Sequence, residues 1–462
     1  MRNFPTIAKL LTLIGLAGSI KDSPQINSEV IQLLNPKTAI SQPIAPETNP
    51  ANSLPAIIEE QEPDPEELVV YSSPSWHPTR GTRKAPATPR QHYDRELTLP
   101  FDNPLESSEA NTALRYSFSQ LSGKLTDYLG DQGLDNVLAG RIGLWIFNGG
   151  LNHAAESTSH EFRHITEGNK VGDFSTDFTL RTFFPFTSNF DLKVRLPKTI
   201  DERLRIDLAG VNQNYENARN FWRNTFLRNN GEIVWDQGTS FAIAQSWHSW
   251  YHLVDLIDND NTGDMNNYAK LLNLKGIGLT EKEATLESFF PLLASWHTYQ
   301  SIFSSIQYMA TGEKSVTATT FNVGSLELTP PYFALYLTPE GNFLNTSLLV
   351  NPSSDYPLEV SVGNHLDMFG GEVDTFRFGA QLHNITFFEG KSQFRVSPFV
   401  YLNTSGELNP KGFSLGTELI KPLTQWAEIS VNLGYHQDDI LERTIKGKDN
   451  GFNATGNLTL RF

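Results

Sequence analysis

The spacing of apolar residues changes period three times along the chain. From about Ser107 to Thr166 they recur at helical intervals, first in ESSEANTALRYSFSQLSGKLTDYLG and again from Asp135, after a break at Gly133. Gly149 and Gly150 are expected to open the second helix and Gly168 to cap it. The period then falls to two. In TDFTLRTFF, Phe178, Leu180, Thr182 and Phe184 alternate with Asp177, Thr179, Arg181 and Phe183; NFDLKVRL repeats the pattern, predicting a hairpin with one apolar and one charged face. From about Asp201 to Gly312 helical spacing returns, in AGVNQNYENARNFW, in SFAIAQSWHSWYHLVDLID and in a segment opened by the capping-box pair Thr280 and Glu283. After Lys314 the alternation resumes to the end, in LEVSV, TFRFGAQLH, QFRVSPFVYL, GFSLGTEL, EISVNLGY and GFNATGNLTLRF. In that last stretch Phe452, Ala454, Gly456, Leu458, Leu460 and Phe462 share one face, while Asn453, Thr455, Asn457, Thr459 and Arg461 share the other.

The remaining segments bound the domains. Met1 to about Ser19 places Arg2 and Lys9 before the apolar LLTLIGLAGSI, the pattern of a secretory signal peptide. Lys21 to about Pro100 is rich in Pro, Ser, Asn and charge, and cannot bury enough apolar surface to order itself. The expected organisation is therefore a signal peptide (1–20), a Pro-rich linker (21–100), a helical segment (101–170), a first hairpin (171–199), a helical insert (200–313) and further strands (314–462). A net charge of -16 argues against a nucleic-acid partner. The absence of cysteine excludes disulfides, thiol catalysis and a lipoprotein anchor, and leaves His, Asp and Glu as metal ligands.

Soluble antiparallel sheets also alternate, but this alternation ends on a terminal Phe462, behind a signal peptide. That combination resembles the bacterial outer-membrane β-barrels over roughly Asp173 to Thr199 and Lys314 to Phe462. The resemblance implies an α+β fold: an antiparallel transmembrane β-barrel of 10–12 strands, with a helical domain built from the segment before strand 1 and the insert after strand 2. It also implies contact with outer-membrane lipid and a bacterial cell outer membrane location. If both chain ends face the periplasm, the two helical pieces emerge on one side, facing the periplasm.

Within SHEFRH, His160, Glu161 and His164 make a His-Glu-x-x-His spacing. On a helix it aims two imidazoles at one cation and leaves the Glu beside a water that the cation acidifies. The motif resembles that of the zincin metalloproteases over these five residues alone; the resemblance implies zinc as cofactor, His160 and His164 as ligands and Glu161 as catalytic base. The family's extensions are missing, since Glu167 and Gly168 follow instead. The third ligand is then sought in WHSWYHLVDLID, where His248, His252 and Asp255 share one helical face. His252 is the first choice, with His248 or Glu216 as substitutes. His153 and Glu156 lie on the same stripe as the motif and are expected to orient the ligands. DNDNTGD (258–264) loosely resembles a calcium loop but lacks its last Glu, so Asp264 is read as capping the next helix. The functional expectation is a zinc-dependent hydrolase, foremost a metallopeptidase, acting on an envelope protein or a lipid. The alternative is a transport or structural barrel with a helical plug and a non-catalytic motif.

Overall fold

The alternating segments assemble into a 12-stranded antiparallel sheet. The computed structural model describes residues 95–103, 107–171, 179–183, 187–191, 199–258, 264–365, 375–387, 393–405, 409–441, 444 and 450–461, all within the unit Thr79–Phe462. The expected signal peptide, the linker up to residue 94 and Phe462 lie outside the described residues.

In chain order the sheet contains β1 (Glu96–Pro100), β6 (Phe321–Val323), β7 (Leu326–Leu328), β8 (Tyr332–Thr338), β9 (Gly341–Val350), β10 (Leu358–His365), β11 (Thr375–Leu382), β12 (Ile385–Phe387), β13 (Phe394–Ser405), β14 (Pro410–Thr424), β15 (Ala427–Gln437) and β16 (Asn450–Arg461). Its hydrogen-bonded order is β1-β16-β15-β14-β13-β11-β10-β9-β7-β6, with β12 on β13 and β8 on β9. The six clearest alternating segments all lie in this sheet. Their period of two sorts the faces: Val362, Phe378, Val400, Leu402, Leu415 and Leu433 are exposed, whereas Glu359, Arg377, Asn403, Ser414, Glu428 and Thr459 are buried.

Two expectations about strands are corrected. Among the described residues, the hairpin of β2 (Thr179–Phe183) and β3 (Thr187–Asp191) is a two-stranded sheet of its own, without pairing to the large one. Alternation fixes a strand's faces but carries no information about its neighbour. The first strand of the large sheet is instead β1, from ELTLP at the end of the expected linker, paired from Glu96↔Arg461 to Pro100↔Asn457. Nor does the sheet close on itself: among the described residues no pairing joins β1 to β6, β7 or β8.

Helices occupy that gap. They are α1 (Ser108–Asp131), α2 (Leu138–Val171), α3 (Ile200–Leu227), α4 (Trp235–Asp258), α5 (Asp264–Leu274), α6 (Glu281–Ala294) and α7 (Trp296–Thr311). A short β4 (Glu232–Val234) pairs with β5 (Ser315–Thr317). The Thr280–Glu283 capping box forms as expected at the head of α6, and Thr199 with Glu202 makes another at α3. None of these helices is long and apolar enough to cross a membrane by itself.

α3 is the central element. Leu204, Leu208, Val211, Phe221 and Trp222 are all buried, and Trp222 stacks on Tyr332 of β8 at 5.2 Å. Burying each such side chain contributes on the order of 2 kcal/mol. The polar inner face of the sheet closes on the rest of α3 through ion pairs: Arg219 and Arg223 reach Glu359 at 2.8 and 2.7 Å, and Arg228 meets Glu96, which also takes Arg461 at 3.0 Å.

Candidate metal centre

α2 runs unbroken from Leu138 to Val171, through Gly149, Gly150 and Gly168, which were expected to bound it. Each glycine costs about 1 kcal/mol in a helix. Packing offsets this: Asn148 and Asn152 bond Ser122 of α1 at 2.8 and 3.3 Å, and Arg115 of α1 pairs with the fully buried Glu156 at 2.7 Å.

One turn apart near the C-terminal end of α2, His160 and His164 project toward α3 and the head of α5. Their Nε2 atoms are 2.9 Å apart, and Asp264 Oδ2 lies 3.2 Å from one and 3.3 Å from the other. Ligands held 2.0–2.1 Å from a tetrahedral zinc ion are about 3.3 Å from each other. Among the described residues, His160, His164 and Asp264 form the group able to hold a metal ion.

Outer partners set the tautomers. Asn214 donates its amide to Glu156 at 2.5 Å, which turns its carbonyl oxygen toward His160 Nδ1 at 2.9 Å; that nitrogen therefore carries a proton and donates it. Asn217 also donates to Glu156, at 2.9 Å. His164 Nδ1 donates to the Ile206 carbonyl at 2.6 Å. Both Nε2 lone pairs consequently face Asp264, and three acceptors converge on one point. A proton or a cation is required between them.

Without a cation, the proton sits on His164. Burial opposes its imidazolium, yet Asp264, Glu161 and the Ile206 carbonyl outweigh burial and lift it to about 10. Burial likewise opposes the Asp264 carboxylate, while the two imidazoles hold it well below the usual range. Asp207, one turn before Gly210 on α3, is pushed up to about 7 by burial and by repulsion from Asp264, against the pull of His164 and Arg203. Gly210 permits this assembly: a Cβ there would lie 2.4 Å from His164 Nε2 and 2.5 Å from His160 Nε2, so only glycine lets α3 pass so close to the donor edges of the two rings.

The remaining sequence candidates distribute unevenly. Glu161 is partly buried on the motif turn and acts electrostatically on His164. Glu156 is linked to His160 through Asn214. His153 packs on Trp247 at 4.1 Å between ring centroids. His248 is buried with its ring 5.1 Å from that of His160, but it is not in the donor group. Glu216 accepts a hydrogen bond from Tyr336 and is not in the group either. The side chains of His252 and Asp255 lie outside the described residues, as do residues 259–263 of the loop resembling a calcium site.

Asp264 was visible in the sequence as the head of a helix; its separation of 100 residues from His164 hid the meeting. The amide-rich NQNYEN carried a signal for Asn214, since such residues on a buried helix need partners.

The centre also has a definite position along the fold. From Ile206, beside His164, to Arg228, beside Glu96 and Arg461, α3 rises about 33 Å. The donors therefore sit at the end of the sheet opposite the close of β16. Comparison with known proteins finds no matching family model, curated protein or solved structure. The functional reading thus rests on this chain's own residues.

Proposed function

We propose that the protein is a zinc-dependent hydrolase, foremost a metallopeptidase, embedded in the bacterial outer membrane. The observation that carries the reading is the convergence of two Nε2 lone pairs and the Asp264 carboxylate, with both tautomers fixed from behind. A set of two imidazoles and one carboxylate suits zinc and leaves a fourth position open. Asp264 takes the role first sought in His252. Zinc bound there would acidify a water molecule and polarise a carbonyl. Glu161, on the same turn of α2, would serve as the base for such a water and would return its proton to the leaving group. Glu156, Asn214 and Ile206 hold the two imidazoles in the ligating orientation. The substrate is an envelope protein or a lipid, since the motif specifies the attacking water and not the bond attacked.

The membrane part of the reading draws on the sheet, whose apolar side chains point outward and whose ionic ones point inward. Metal analysis tests the enzyme reading. Near-stoichiometric zinc that is lost, with hydrolysis, in His160→Ala supports it; a metal-free protein after zinc dialysis overturns it. The second reading, a transport or structural barrel with a helical plug, is favoured by α3, which packs on the polar face of the sheet and is tied to it by Glu359. Ion conductance with no bound metal would select that alternative.

A further inference from the structure

We propose that the helices contact membrane lipid together with the sheet, as part of one mixed wall, and do not form a separate domain in water. This rests on the membrane reading of the sheet.

The two open edges at β1 and β8 are met by side chains from the helical layer. On β1, Ser117 of α1 accepts from Thr98 N at 2.7 Å and donates to Thr98 O at 2.6 Å. On β8, Asn212 of α3 accepts from Leu337 N at 2.8 Å and donates to Leu337 O at 2.9 Å. Ser295 accepts from Phe333 N at 3.1 Å, and Gln245 of α4 donates to Phe333 O at 3.0 Å. Unpaired strand edges cannot face hydrocarbon, and closing the sheet on itself is one way to remove them. Side-chain caps from flanking helices are another. From β1 the circuit passes to α1, then to α2 by the Arg115–Glu156 pair, to α7 through Arg141 and the Met309 carbonyl at 2.9 Å, and back to β8 through α4 and α6.

The outward faces of these helices are as apolar as that of the sheet. α1 exposes Leu114, Phe118, Leu121, Leu125 and Tyr128 over about 21 Å, with Lys124 the one exposed cation among them. α2 exposes Leu138, Ile142 and Ile146; its sole Arg between residues 138 and 155, Arg141, turns its guanidinium to the Met309, Ala310 and Asp135 carbonyls. α7 exposes Trp296, Tyr299 and Phe303, and its sequence holds no Asp, Glu, Lys or Arg. The segment 138–155 of α2 rises about 26 Å, close to the apolar band of about 25 Å on outer-membrane barrels. A protein partner covers one side of a molecule. Here exposed apolar side chains lie on the sheet and on α1, α2 and α7 alike, which fits a bilayer.

A helix that serves as one stave of such a wall needs a single apolar face, so none has to be apolar all round. His160, five residues beyond Ala155, then stands about 8 Å past the apolar stretch of α2, at the bilayer rim.

The chain has no native cysteine, so exposed sites can be labelled singly. Leu121→Cys, Ile142→Cys and Phe303→Cys on helices, with Val400→Cys and Leu433→Cys on the sheet, would carry a small fluorophore in the full-length protein reconstituted into phosphatidylcholine vesicles. Brominated acyl chains should reduce emission at the helical sites to the same extent as at the sheet sites. Unquenched helical sites beside quenched sheet sites would overturn the mixed wall and leave the membrane reading standing. If the sheet sites are also unquenched, both fall.

Discussion

Replacing Gly210 by alanine should separate metal binding from folding. The added Cβ would stand 2.4–2.5 Å from both Nε2 atoms, whereas carbon contacts relax at about 3.5 Å or more, so each ring must withdraw by roughly 1 Å. Metal-ligand bonds tolerate only about 0.2 Å. The rings also cannot turn freely, because Asn214 and the Ile206 carbonyl hold their Nδ1 sides. Disturbing one outer partner of a ligand already costs about 10–100-fold in metal affinity, so displacing two ligands should cost about 100-fold or more. Stability should change far less: overpacking costs about 1–3 kcal/mol, and alanine returns up to about 1 kcal/mol of helix propensity. Zinc titration against a competing chelator, with thermal unfolding of the metal-free form alongside, reads both quantities. Gly143→Ala, where a Cβ meets nothing within 4 Å, is the control. Wild-type zinc affinity in Gly210→Ala would refute the placement of the ligands.

Other substitutions test separate parts of the argument. Asp264→Ala should abolish tight zinc binding while His252→Ala retains it; the reverse outcome restores His252 as third ligand. Glu161→Gln should keep zinc and lose turnover, and surviving hydrolysis removes Glu161 from the role of base. Glu156→Ala strands the buried Arg115 and should cost about 3–5 kcal/mol in denaturant unfolding; a loss within the range of surface substitutions would mean that Arg115 finds another partner. In the metal-free protein His164 is raised from 6.5 to about 10, so its charged pair with Asp264 contributes fully below about pH 6.5 and is lost as pH rises through about 10. Melting temperature should therefore fall over that window relative to His164→Gln. Zinc must displace this proton, so its binding enthalpy at neutral pH should vary with the ionisation enthalpy of the buffer, and a buffer-independent enthalpy contradicts the assignment.

The alternating strands were the most legible part of the fold, because a period of two follows directly from having one face buried and polar and the other exposed and apolar. The hairpin 179–191 has the same period and went to a different sheet, since pattern fixes faces and not partners. ELTLP shows the converse: five residues at the end of a Pro-rich stretch are too short for a periodic signal, and they became a strand because β16 offered an edge and Ser117 sealed the other side. At the centre, the pair His160 and His164 was legible because ligands one turn apart are a local property of a helix. Asp264 and Gly210 were not, because their roles depend on α3 and α5 converging on α2.

By itself the sequence determined the local elements, the sorting of strand faces and the presence of two imidazoles on one helical turn, all consequences of short-range backbone geometry. The tertiary structure alone decided that, among the described residues, the sheet stays open with helical side chains at β1 and β8, that Asp264 joins His160 and His164 in the donor group, and that the donors stand about 33 Å along α3 from the end of β16. Each of these depends on contacts between residues far apart in the chain, where the strength of a local pattern says nothing about which surfaces meet.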